Sequence, residues 1–225
     1  MEPKVSFVIP TYDGDSYLAE TLETLRNQSL REIEIIVVDD CSPDFTPELM
    51  EHFIKLDDRI KYYRLDQNGG VQEARNYGNK LAKAELICVS DHDDLSTKHR
   101  ALYSYNFMKN KLDVDCLTSA YWECDVDGDK MKHWDHPPKM DRQTFEGRNF
   151  IWFHSSACYR KEDILNIPYR QVDGETDDWT FLDDWTKAGM NFHTTPKVLA
   201  NCRRLPWSQM QFRRAKQGLE PSYIL

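Results

Sequence analysis

The amino-acid sequence predicts an α/β fold in which flanking helices cover a mostly parallel central sheet. Across residues 1–95, short runs of β-branched residues alternate with longer segments of helical periodicity, which is typical of strands joined by crossover helices. The apolar runs are nearly continuous, as expected for strands that are covered on both faces. With 225 residues, 40% of them hydrophobic, and no linker-like segment, the chain is predicted to form one domain with a sizeable core.

The predicted elements follow from these periodicities in chain order. Strands are predicted at residues 5–9, 33–38, 60–64, 85–89 and 114–122. Helices are predicted at residues 15–28, 47–56 and 71–82, from near Ser96, and where Trp179, Leu182 and Trp185 pack on the core before Gly189. Asp15 or Ser16 is expected to cap the first helix. Residues 123–150 are expected to form mainly a loop with a hairpin.

The composition argues against several classes of function. The 29 basic and 38 acidic side chains leave a net charge of −9, which disfavours nucleic acid as a partner. No apolar run reaches the roughly 20 residues that span a bilayer, so any membrane contact is expected to be peripheral. Six scattered cysteines and an N-terminus without a secretory signal indicate reduced thiols and a cytoplasmic location.

Three strand ends carry polar residues that point to chemistry. They are Pro10-Thr11-Tyr12-Asp13, Asp39-Asp40-Cys41-Ser42 and Asp91-His92-Asp93-Asp94. In an open parallel sheet such strand ends meet at a ligand crevice. Carboxylates gathered there repel one another, so a divalent cation with a phosphate-bearing ligand is expected. Asp91 and Asp93 would face the same side of an extended segment. The alternative is a solvated acidic turn that caps the helix near Ser96.

A glycine-containing junction precedes the third predicted helix. Gly69 and Gly70 permit close backbone approach or a positive φ, and the free N–H groups at the start of a helix suit an anion. Arg75 lies just over one turn into this helix, within reach of a base or a phosphate. The alternative interpretation is a simple loop-to-helix junction with a surface arginine.

Two carboxylates, Asp177 and Asp178, begin the last predicted helix. Acidic residues in a first turn are favoured by the helix dipole whatever the function, so one interpretation is that they only stabilise the helix. The other is that one of them acts as a general base on an anchored helix. The residues alone leave both interpretations open.

Together these segments resemble the family 2 glycosyltransferases of GT-A fold. The matching segments are Val5–Tyr12, Ile35–Ser42, Asn68–Asn76, Asp91–Asp94 and Asp177–Trp179, in the order typical of the family. The resemblance implies a metal-dependent, inverting transfer of a sugar from a nucleotide sugar, with uridine as the expected base, to an acceptor hydroxyl. Within one Rossmann-like GT-A domain, residues 1–95 would bind the nucleotide sugar, 96–205 would form a smaller acceptor-side β region, and 206–225 would be a tail.

The resemblance also implies roles on the donor side of the site. The matching residues are Pro10, Thr11, Tyr12, Asp13, Asp39, Asp40, Gly70, Arg75, Asp91, His92 and Asp93. Residues after the first strand would line the base and ribose, and Asp40, with Asp39 behind it, would read the base edge. Arg75 would contact the base or a phosphate. Asp91 would hold the ribose, and Asp93 together with Asp91 would ligate Mn²⁺ or Mg²⁺, with His92 in the variable middle place.

On the acceptor side, Asp178 matches the carboxylate that acts as catalytic base in the family, and Asp177 matches the acid beside it. The segment around Phe153 resembles the acceptor loop. The resemblance therefore places Trp152, His154 and Ser155 near the acceptor sugar.

The segment 203–216 is rich in arginine and lacks acidic residues. It is interpreted either as a solvated helix face, or as a segment in which Arg203 or Arg204 closes over the donor pyrophosphate or which touches anionic lipid or a partner. The segment from Cys202 also resembles one in the family, in which a histidine often follows the arginine pair. Leu205 takes that place here, so a third metal ligand is not expected there. A sugar-phosphate nucleotidyltransferase and an inactive carbohydrate-binding or scaffold protein are the alternative functions.

Overall fold

The computed structural model describes residues 2–135, 139–140, 153–172 and 176–205, with the backbone alone at 139–140. The strands are β1 (Val5–Thr11), β2 (Ile33–Asp39), β3 (Ile60–Arg64), β4 (Leu86–Val89), β5 (Leu95–Ser96), β6 (Cys116–Cys124), β7 (Lys130–Trp134), β8 (Lys139–Met140), β9 (Cys158–Arg160) and β10 (Phe192–Arg203). The helices are α1 (Leu18–Arg26), α2 (Thr46–Leu56), α3 (Val71–Leu81), α4 (Arg100–Asn110), α5 (Lys161–Asn166) and α6 (Asp177–Lys187), and His154–Ser156 form a 3₁₀ turn.

Within the described residues, these strands form one sheet in the order β3-β2-β1-β4-β9-β6-β10-β5, with β7 paired to β6 and β8 to β10. β1 to β4 are parallel, and β6 is parallel to β10. Because β9 lies between β4 and β6 and is antiparallel to both, β4 and β6 point the same way. The six strands β1, β2, β3, β4, β6 and β10 are therefore parallel to one another. The predicted α/β architecture with a mostly parallel sheet is confirmed. The expected hairpin is also present, as β6 and β7.

Alternate strand residues supply two apolar layers, one on each face of the sheet. Phe7 and Ile9 of β1 pack in the layer that includes α1, α2 and α4, whereas Val8 packs in the layer that includes α3, α5 and α6. This division follows from the opposite directions of successive side chains in a strand. Gly78 lets α3 approach β1 closely, because a Cβ at this position would lie 2.5 Å from Cγ1 of Val8.

The sheet order reverses at β1, and this reversal places a crevice at one end of the sheet. From β1 the chain adds β2 and β3 on one side and then crosses over to add β4 on the other. At such a switch point, ligands bind beyond the carboxyl ends of the two central strands. The crevice is therefore flanked by residues 12–17 after β1 and by residues 90–94 after β4, hereafter the β4 loop.

β1 is longer than predicted. Pro10 and Thr11 still pair with Val38 and Asp39 of β2, so the strand does not end at Ile9. Pro10 is tolerated here because, in the described residues, no strand pairs with β1 on its other side at this level. Two residues that were expected to line the site are consequently part of the sheet.

The first helix begins later than predicted. α1 starts at Leu18, and neither Asp15 nor Ser16 is its N-cap. The preceding residues instead form a turn held to the neighbouring loop, since the backbone N–H of Asp15 donates to Oδ2 of Asp44 at 2.9 Å. This contact fixes the loop between β1 and α1.

The helix predicted near Ser96 also begins later, because Ser96 pairs with β10 and α4 starts at Arg100. α6 keeps its predicted end, where Gly189 adopts a positive φ of 77° just beyond the helix. At its start, Trp179 is 37% exposed, whereas Leu182 and Trp185 are buried in the core as predicted. The first turn of α6 therefore reaches the surface.

Two observations concern membranes and thiols. Among the helices of the described ranges, none combines the length and apolar content that crossing a bilayer requires. All six cysteines are free thiols, and four of them are buried, at positions 88, 116, 124 and 158.

Candidate active site

The β4 loop is held from three sides. The hydroxyl of Ser155 accepts a hydrogen bond from the backbone N–H of Asp91 at 2.9 Å. The hydroxyl of Thr21 in α1 donates to the carbonyl oxygen of Asp94 at 2.9 Å. At the end of β10, the backbone N–H of Arg203 donates to Oδ1 of Asp94 at 3.0 Å. Three separate elements therefore fix the carboxylates of this loop beside the crevice.

The β4 loop carries one buried aspartate, Asp94, and two half-buried ones, Asp91 and Asp93. Asp94 is 4% exposed, and burial raises the pKa of its carboxyl well above the usual value, with the charges of Asp93 and Asp91 adding to the effect. Burial also raises the pKa of Asp93, a rise that the half-buried His92 opposes and Asp91 increases. A cation bound at this loop would reduce the repulsion.

The donor atoms of the β4 loop fit a divalent metal ion. Mg²⁺ and Mn²⁺ prefer oxygen ligands and are commonly held by one or two carboxylates together with substrate phosphates. Asp93 and Asp91 offer such oxygens, although Oδ1 of Asp91 accepts a hydrogen bond from Arg75. In the part of the chain that the structure describes, no three His, Cys, Asp or Glu side chains converge as a complete metal site. The ion would therefore be shared with a ligand, and both metal roles stay predictions.

A buried arginine joins the β4 loop to the start of α6. Arg75 is 3% exposed, its Nη2 donates to Oδ1 of Asp91 at 2.5 Å, and its Nε donates to Oδ2 of Asp177 at 2.7 Å. The guanidinium lies 5.8 Å from the centre of the Tyr169 ring. Burial opposes its charge, but Asp91 and Asp177 hold the pKa of Arg75 well above the usual value. The alternative of a surface arginine is wrong.

Asp178 has the properties of a general base. Burial raises its pKa to about 6, and the charge of Asp177 is the next cause of the rise. The hydroxyl of Thr176 and the backbone N–H of Trp179 act in the opposite direction. A carboxyl with this pKa is ionised at neutral pH and still accepts a proton more readily than an ordinary aspartate. The catalytic role itself stays a prediction.

Asp39 at the end of β2 is committed to structure. Its side chain is fully buried and accepts hydrogen bonds from the backbone N–H of Ser42 at 2.8 Å and from the hydroxyl of Tyr62 at 2.5 Å. Its side chain therefore has no surface for direct contact with a nucleotide, because β2 continues through Asp39 and carries the residue into the sheet. This is consistent with a place behind Asp40, and the assignment of Asp39 to the donor set stays a prediction.

Asp40 holds the junction that starts α3. It is 3% exposed, and its two oxygens accept the backbone N–H groups of Gly69 at 2.7 Å and Gly70 at 2.8 Å. Gly70 has a φ of 92°, a conformation that favours glycine. Asp40 therefore orients the helix that carries Arg75. The expected contact with the base edge stays a prediction, and both carboxylate oxygens already have partners.

The residues after Ile9 differ in the surface they offer to a ligand. Pro10 is buried and Thr11 is 2% exposed, although the Thr11 hydroxyl makes no hydrogen bond in the described residues. Tyr12 is 46% exposed, and Asp13 is exposed with a positive φ of 54°. Tyr12 and Asp13 therefore face the solvent, whereas Pro10 and Thr11 lie beneath them with little surface for a nucleotide.

The residues expected beside the acceptor lie beneath the site instead. Ser155 is fully buried and His154 is 4% exposed. Nε2 of His154 lies 2.7 Å from the Tyr169 hydroxyl, and Nδ1 lies 3.9 Å from Oδ2 of Asp177. Burial lowers the pKa of His154 well below its usual value, so the ring is neutral. Burial leaves neither residue a surface for an acceptor, which contradicts their predicted role, and Trp152 lies outside the described residues.

Arg203 and Arg204 are each anchored to a glutamate. Nη2 of the buried Arg203 donates to Oε2 of Glu20 at 2.5 Å. Nε of Arg204 donates to Oε1 of Glu123 at 2.7 Å. The interpretations of segment 203–216, as a solvated helix face, as a closure over the pyrophosphate or as a contact with anionic lipid or a partner, stay predictions. The basic residues after position 205 lie outside the described residues.

Comparison with known families identifies the chain. The family model described as glycosyl transferase family 2 matches residues 6–166, which is more than half of the sequence. The chain belongs to glycosyl transferase family 2. The resemblance of its strand-end motifs to this family is thereby confirmed.

Other proteins of glycosyltransferase type are similar over part of their length. The chain is 39% identical over 180 residues to a putative glycosyltransferase, EpsH, of Bacillus subtilis, covering 75% of this chain and 51% of that protein. It is 31% identical over 187 residues to an uncharacterized glycosyltransferase of Haemophilus influenzae, covering 82% and 72%. It is 33% identical over 125 residues to the glycosyltransferase GlyG of Streptococcus pneumoniae, covering 56% and 41%. The chain thus spans about half or less of EpsH and GlyG.

Two solved structures show that the fold is shared with other proteins. S. aureus TarS 1-349 in complex with UDP-GlcNAc matches with a TM-score of 0.75 at 22% identity, covering 92% of this chain and 60% of that one. The mannosyltransferase PcManGT of Pyrobaculum calidifontis, in complex with GDP-Man and Mn²⁺, matches with a TM-score of 0.69 at 17% identity, covering 96% and 62%. At these identities the matches establish the GT-A fold.

Sequence reasoning missed three residues of this family 2 site. Asp94 belongs to a recognised motif, but only the contact from β10 distinguishes it from Asp93. Thr21 reads as part of an apolar helix face, and its hydroxyl supports the β4 loop. Tyr169 lies 93 positions from Asn76, to which its backbone is bonded, and no local pattern indicates that pairing.

Proposed function

We propose that this chain transfers a sugar from a nucleotide-sugar donor to an acceptor hydroxyl with inversion at the anomeric carbon. The observation that carries the proposal is the contact of one arginine, Arg75, with both Asp91 of the β4 loop and Asp177 of α6. This contact joins the loop that is proposed to hold the metal ion to the helical turn that carries the proposed base, Asp178. Membership of glycosyl transferase family 2 supports the reaction class.

In the proposed reaction, Asp178 removes the proton from the acceptor hydroxyl. The hydroxyl oxygen forms a bond to the anomeric carbon, and the bond to the nucleoside diphosphate breaks on the opposite face. With a pKa of about 6, Asp178 is mostly ionised at pH 7 and available as base. General bases contribute roughly 10²- to 10⁴-fold to a rate, and positioning of the two reactants adds more.

The donor is proposed to lie beyond the ends of β1 and β4. Tyr12 and Asp13 offer exposed groups to a base or ribose. The N–H groups of Gly69 and Gly70 are used by Asp40, but the first turn of α3, which begins at Val71, has backbone N–H groups without partners inside the helix, of the kind that bind phosphate. UDP-sugars are proposed first on the family resemblance. GDP-sugars belong in any screen because the similar PcManGT structure holds GDP-Man. Residues 96–205 are proposed to form the acceptor half.

Asp93 and Asp91 are proposed to hold Mn²⁺ or Mg²⁺. A divalent ion at this loop supplies charge neutralisation for the departing diphosphate. The Mn²⁺ in the PcManGT structure supports this choice. Ser155 and Thr21 hold the backbone of the β4 loop by hydrogen bonds and so position the two carboxylates.

The direct test is release of nucleoside diphosphate from a panel of UDP- and GDP-sugars, with Mn²⁺, Mg²⁺ or EDTA. The wild-type chain should release diphosphate from one class of donor, with faster release when an acceptor is present. Asp178→Asn should bind nucleotide but lose transfer by roughly 10²-fold or more. Asp184→Asn is the matched control, because Asp184 lies on the same helix and pairs with Arg170 away from the crevice. Equal turnover by both variants would refute the assignment of the base.

A further inference from the structure

Arg75 is placed between the two halves of the proposed reaction. It lies in α3, which belongs to neither the β4 loop nor α6, yet its guanidinium contacts a carboxylate from each. Arg75 is 3% exposed and the side chain of Asp177 is 13% exposed, whereas that of Asp91 is 36% exposed, so the contact with Asp177 is the better shielded from solvent. Charge-assisted hydrogen bonds of this kind are the strongest that side chains make.

The backbone around Arg75 is fixed as firmly as its side chain. Asp40 holds the start of α3 through Gly69 and Gly70, and Gly78 sets the close packing of the helix on β1. On the other side of the guanidinium, Tyr169 is joined to α3 by two hydrogen bonds with Asn76, at 2.7 and 3.0 Å. The arginine is therefore a rigid bridge rather than a mobile surface group.

Two of the three guanidinium nitrogens of Arg75 are used inside the protein. Nε and Nη2 bind Asp177 and Asp91, and the buried Nη1 has no hydrogen-bond partner in the described residues. Nε carries a single hydrogen, so a donor phosphate could take it only by displacing Asp177, and the remaining hydrogens of Nη1 and Nη2 belong to a residue that is 3% exposed. Displacement would leave that carboxylate without its partner in a poorly solvated place, which is costly.

We propose that Arg75 is a positioning residue, which fixes the distance between the β4 loop and the first turn of α6 and so places the base relative to the donor. The inference rests on the proposed function, since it assigns Arg75 a role in that reaction. It differs from the expectation that Arg75 is a direct ligand of base or phosphate. Its action passes through Asp91 and Asp177.

The charges around Asp178 give this role a second readout. In the described residues, Asp177 on the same helix and Asp91 on the β4 loop raise the pKa of Asp178. Arg75 on α3 contacts both of these carboxylates and compensates their charge, while the buried His154 is neutral. Removal of the arginine cation leaves the two carboxylates uncompensated and raises the pKa of Asp178. The acid limb of the rate profile should then move to higher pH.

The test compares Arg75→Gln and Arg75→Lys with wild type for kcat, donor KM and the pH profile. For Arg75→Gln, kcat should fall by about 10²-fold, since small misplacements of reacting groups have effects of this size. Donor KM should rise by a smaller factor than kcat falls, because Asp91 loses one partner but its backbone stays bonded to Ser155. The acid limb should move up, and Arg75→Lys should lie between the two. Arg59→Gln is the control, because Arg59 forms a comparable pair with Asp57 away from the crevice.

A double variant separates action through Asp177 from direct donor contact. If Arg75 acts through Asp177, then Arg75→Gln adds little to the loss caused by Asp177→Asn, because both changes break the same Arg75–Asp177 contact. Independent, additive losses, or a rise in donor KM with kcat and the acid limb unchanged, would overturn the proposal. If Arg75→Gln does not fold, Arg75→Lys and Asp177→Asn still provide the comparison.

A titration without turnover makes the two proposals separable. The Asp178 carboxyl can be followed by ¹³C NMR in wild type and in the Arg75 variants. If the wild type turns over no donor, the proposed function fails. If the Asp178 titration is the same with and without Arg75, the positioning role fails, whatever the activity.

Discussion

The carboxylates at the end of β2 and those of the β4 loop occupy similar places in the sheet but have different surroundings. Asp39 and Asp40 each accept two hydrogen bonds from groups of the protein. In the β4 loop, by contrast, burial and mutual repulsion raise the pKa values of Asp93 and Asp94. A carboxylate at a strand end is thus a structural group where the protein satisfies its oxygens. Where its neighbours are other carboxylates, it is a candidate ligand for a cation.

The same difference separates the two aspartates in the first turn of α6. Asp177 is paired with Arg75, whereas burial and the neighbouring Asp177 give Asp178 a pKa of about 6. One carboxylate of this pair anchors the helix, and the other has the chemistry of a base. Position in a motif does not reveal which residue has which role, because both are aspartates in the same helical turn.

The largest expected effect is that of metal removal. Chelation with EDTA should lower transfer by roughly 10²-fold or more, because a metal ion supplies several kcal/mol of charge stabilisation. Asp93→Asn should show a comparable loss, and excess Mn²⁺ should restore little of it. Asp39→Asn is the control, since its carboxylate is enclosed by its own partners and should not alter the dependence on Mn²⁺. An equal metal dependence of the two variants would remove the distinction between the strand ends.

The next effect concerns pH. Because the pKa of Asp178 is raised to about 6, its basic form is lost as pH falls through that value. The value of kcat/KM should therefore fall by about tenfold for each unit below pH 6 and level off above pH 7. A pH series with a donor whose binding is independent of pH measures this directly. An acid limb near pH 4 would mean that Asp178 is an ordinary solvated carboxylate.

A smaller effect is expected for Asp40→Asn. The amide retains one acceptor oxygen, so one charge-assisted hydrogen bond to the loop before α3 is lost. The free energy of unfolding should fall by about 1.5–3 kcal/mol, measured by urea denaturation. Donor affinity should also fall, because the start of α3 is no longer fixed. Unchanged stability would show that the contacts with Gly69 and Gly70 contribute nothing.

The smallest effect is expected for Ser155→Ala. This change removes the acceptor of the Asp91 backbone N–H and should lower the free energy of unfolding by about 0.5–1.5 kcal/mol. Activity should drop only slightly, because Thr21 and Arg203 still hold the loop. Calorimetric unfolding measures the first effect and donor turnover the second. A loss of acceptor affinity alone would restore the acceptor role that the burial of Ser155 contradicts.

Periodicity and strand-end motifs predicted the fold well. The alternating apolar runs located all four parallel strands β1 to β4, and the order of the motifs indicated the family. Errors arose at the element ends, where long-range contacts decide. The contact between Asp15 and Asp44 delays the start of α1, and pairing of Ser96 with β10 prevents a helix there.

The candidate site was predictable in membership but less so in the roles of its residues. Sequence placed Arg75 in the site, but not its contacts with Asp91 and Asp177, which join residues 16 and 102 positions apart. The burial of His154 and Ser155 was likewise not accessible, because His154 packs against Tyr169 and Asp177 and Ser155 binds the backbone of Asp91, all distant in sequence or in other elements. The full burial of Asp39 was also not predicted, because β2 extends one residue further than its apolar run.

The most direct test is a crystal structure of the chain with Mn²⁺ and a nucleoside diphosphate, with the anomalous signal of manganese used to locate the ion. The account predicts one peak beside Asp93 and Asp91, with the diphosphate between the β4 loop and the start of α3. A nucleotide bound elsewhere, or a manganese peak remote from these two carboxylates, would contradict it.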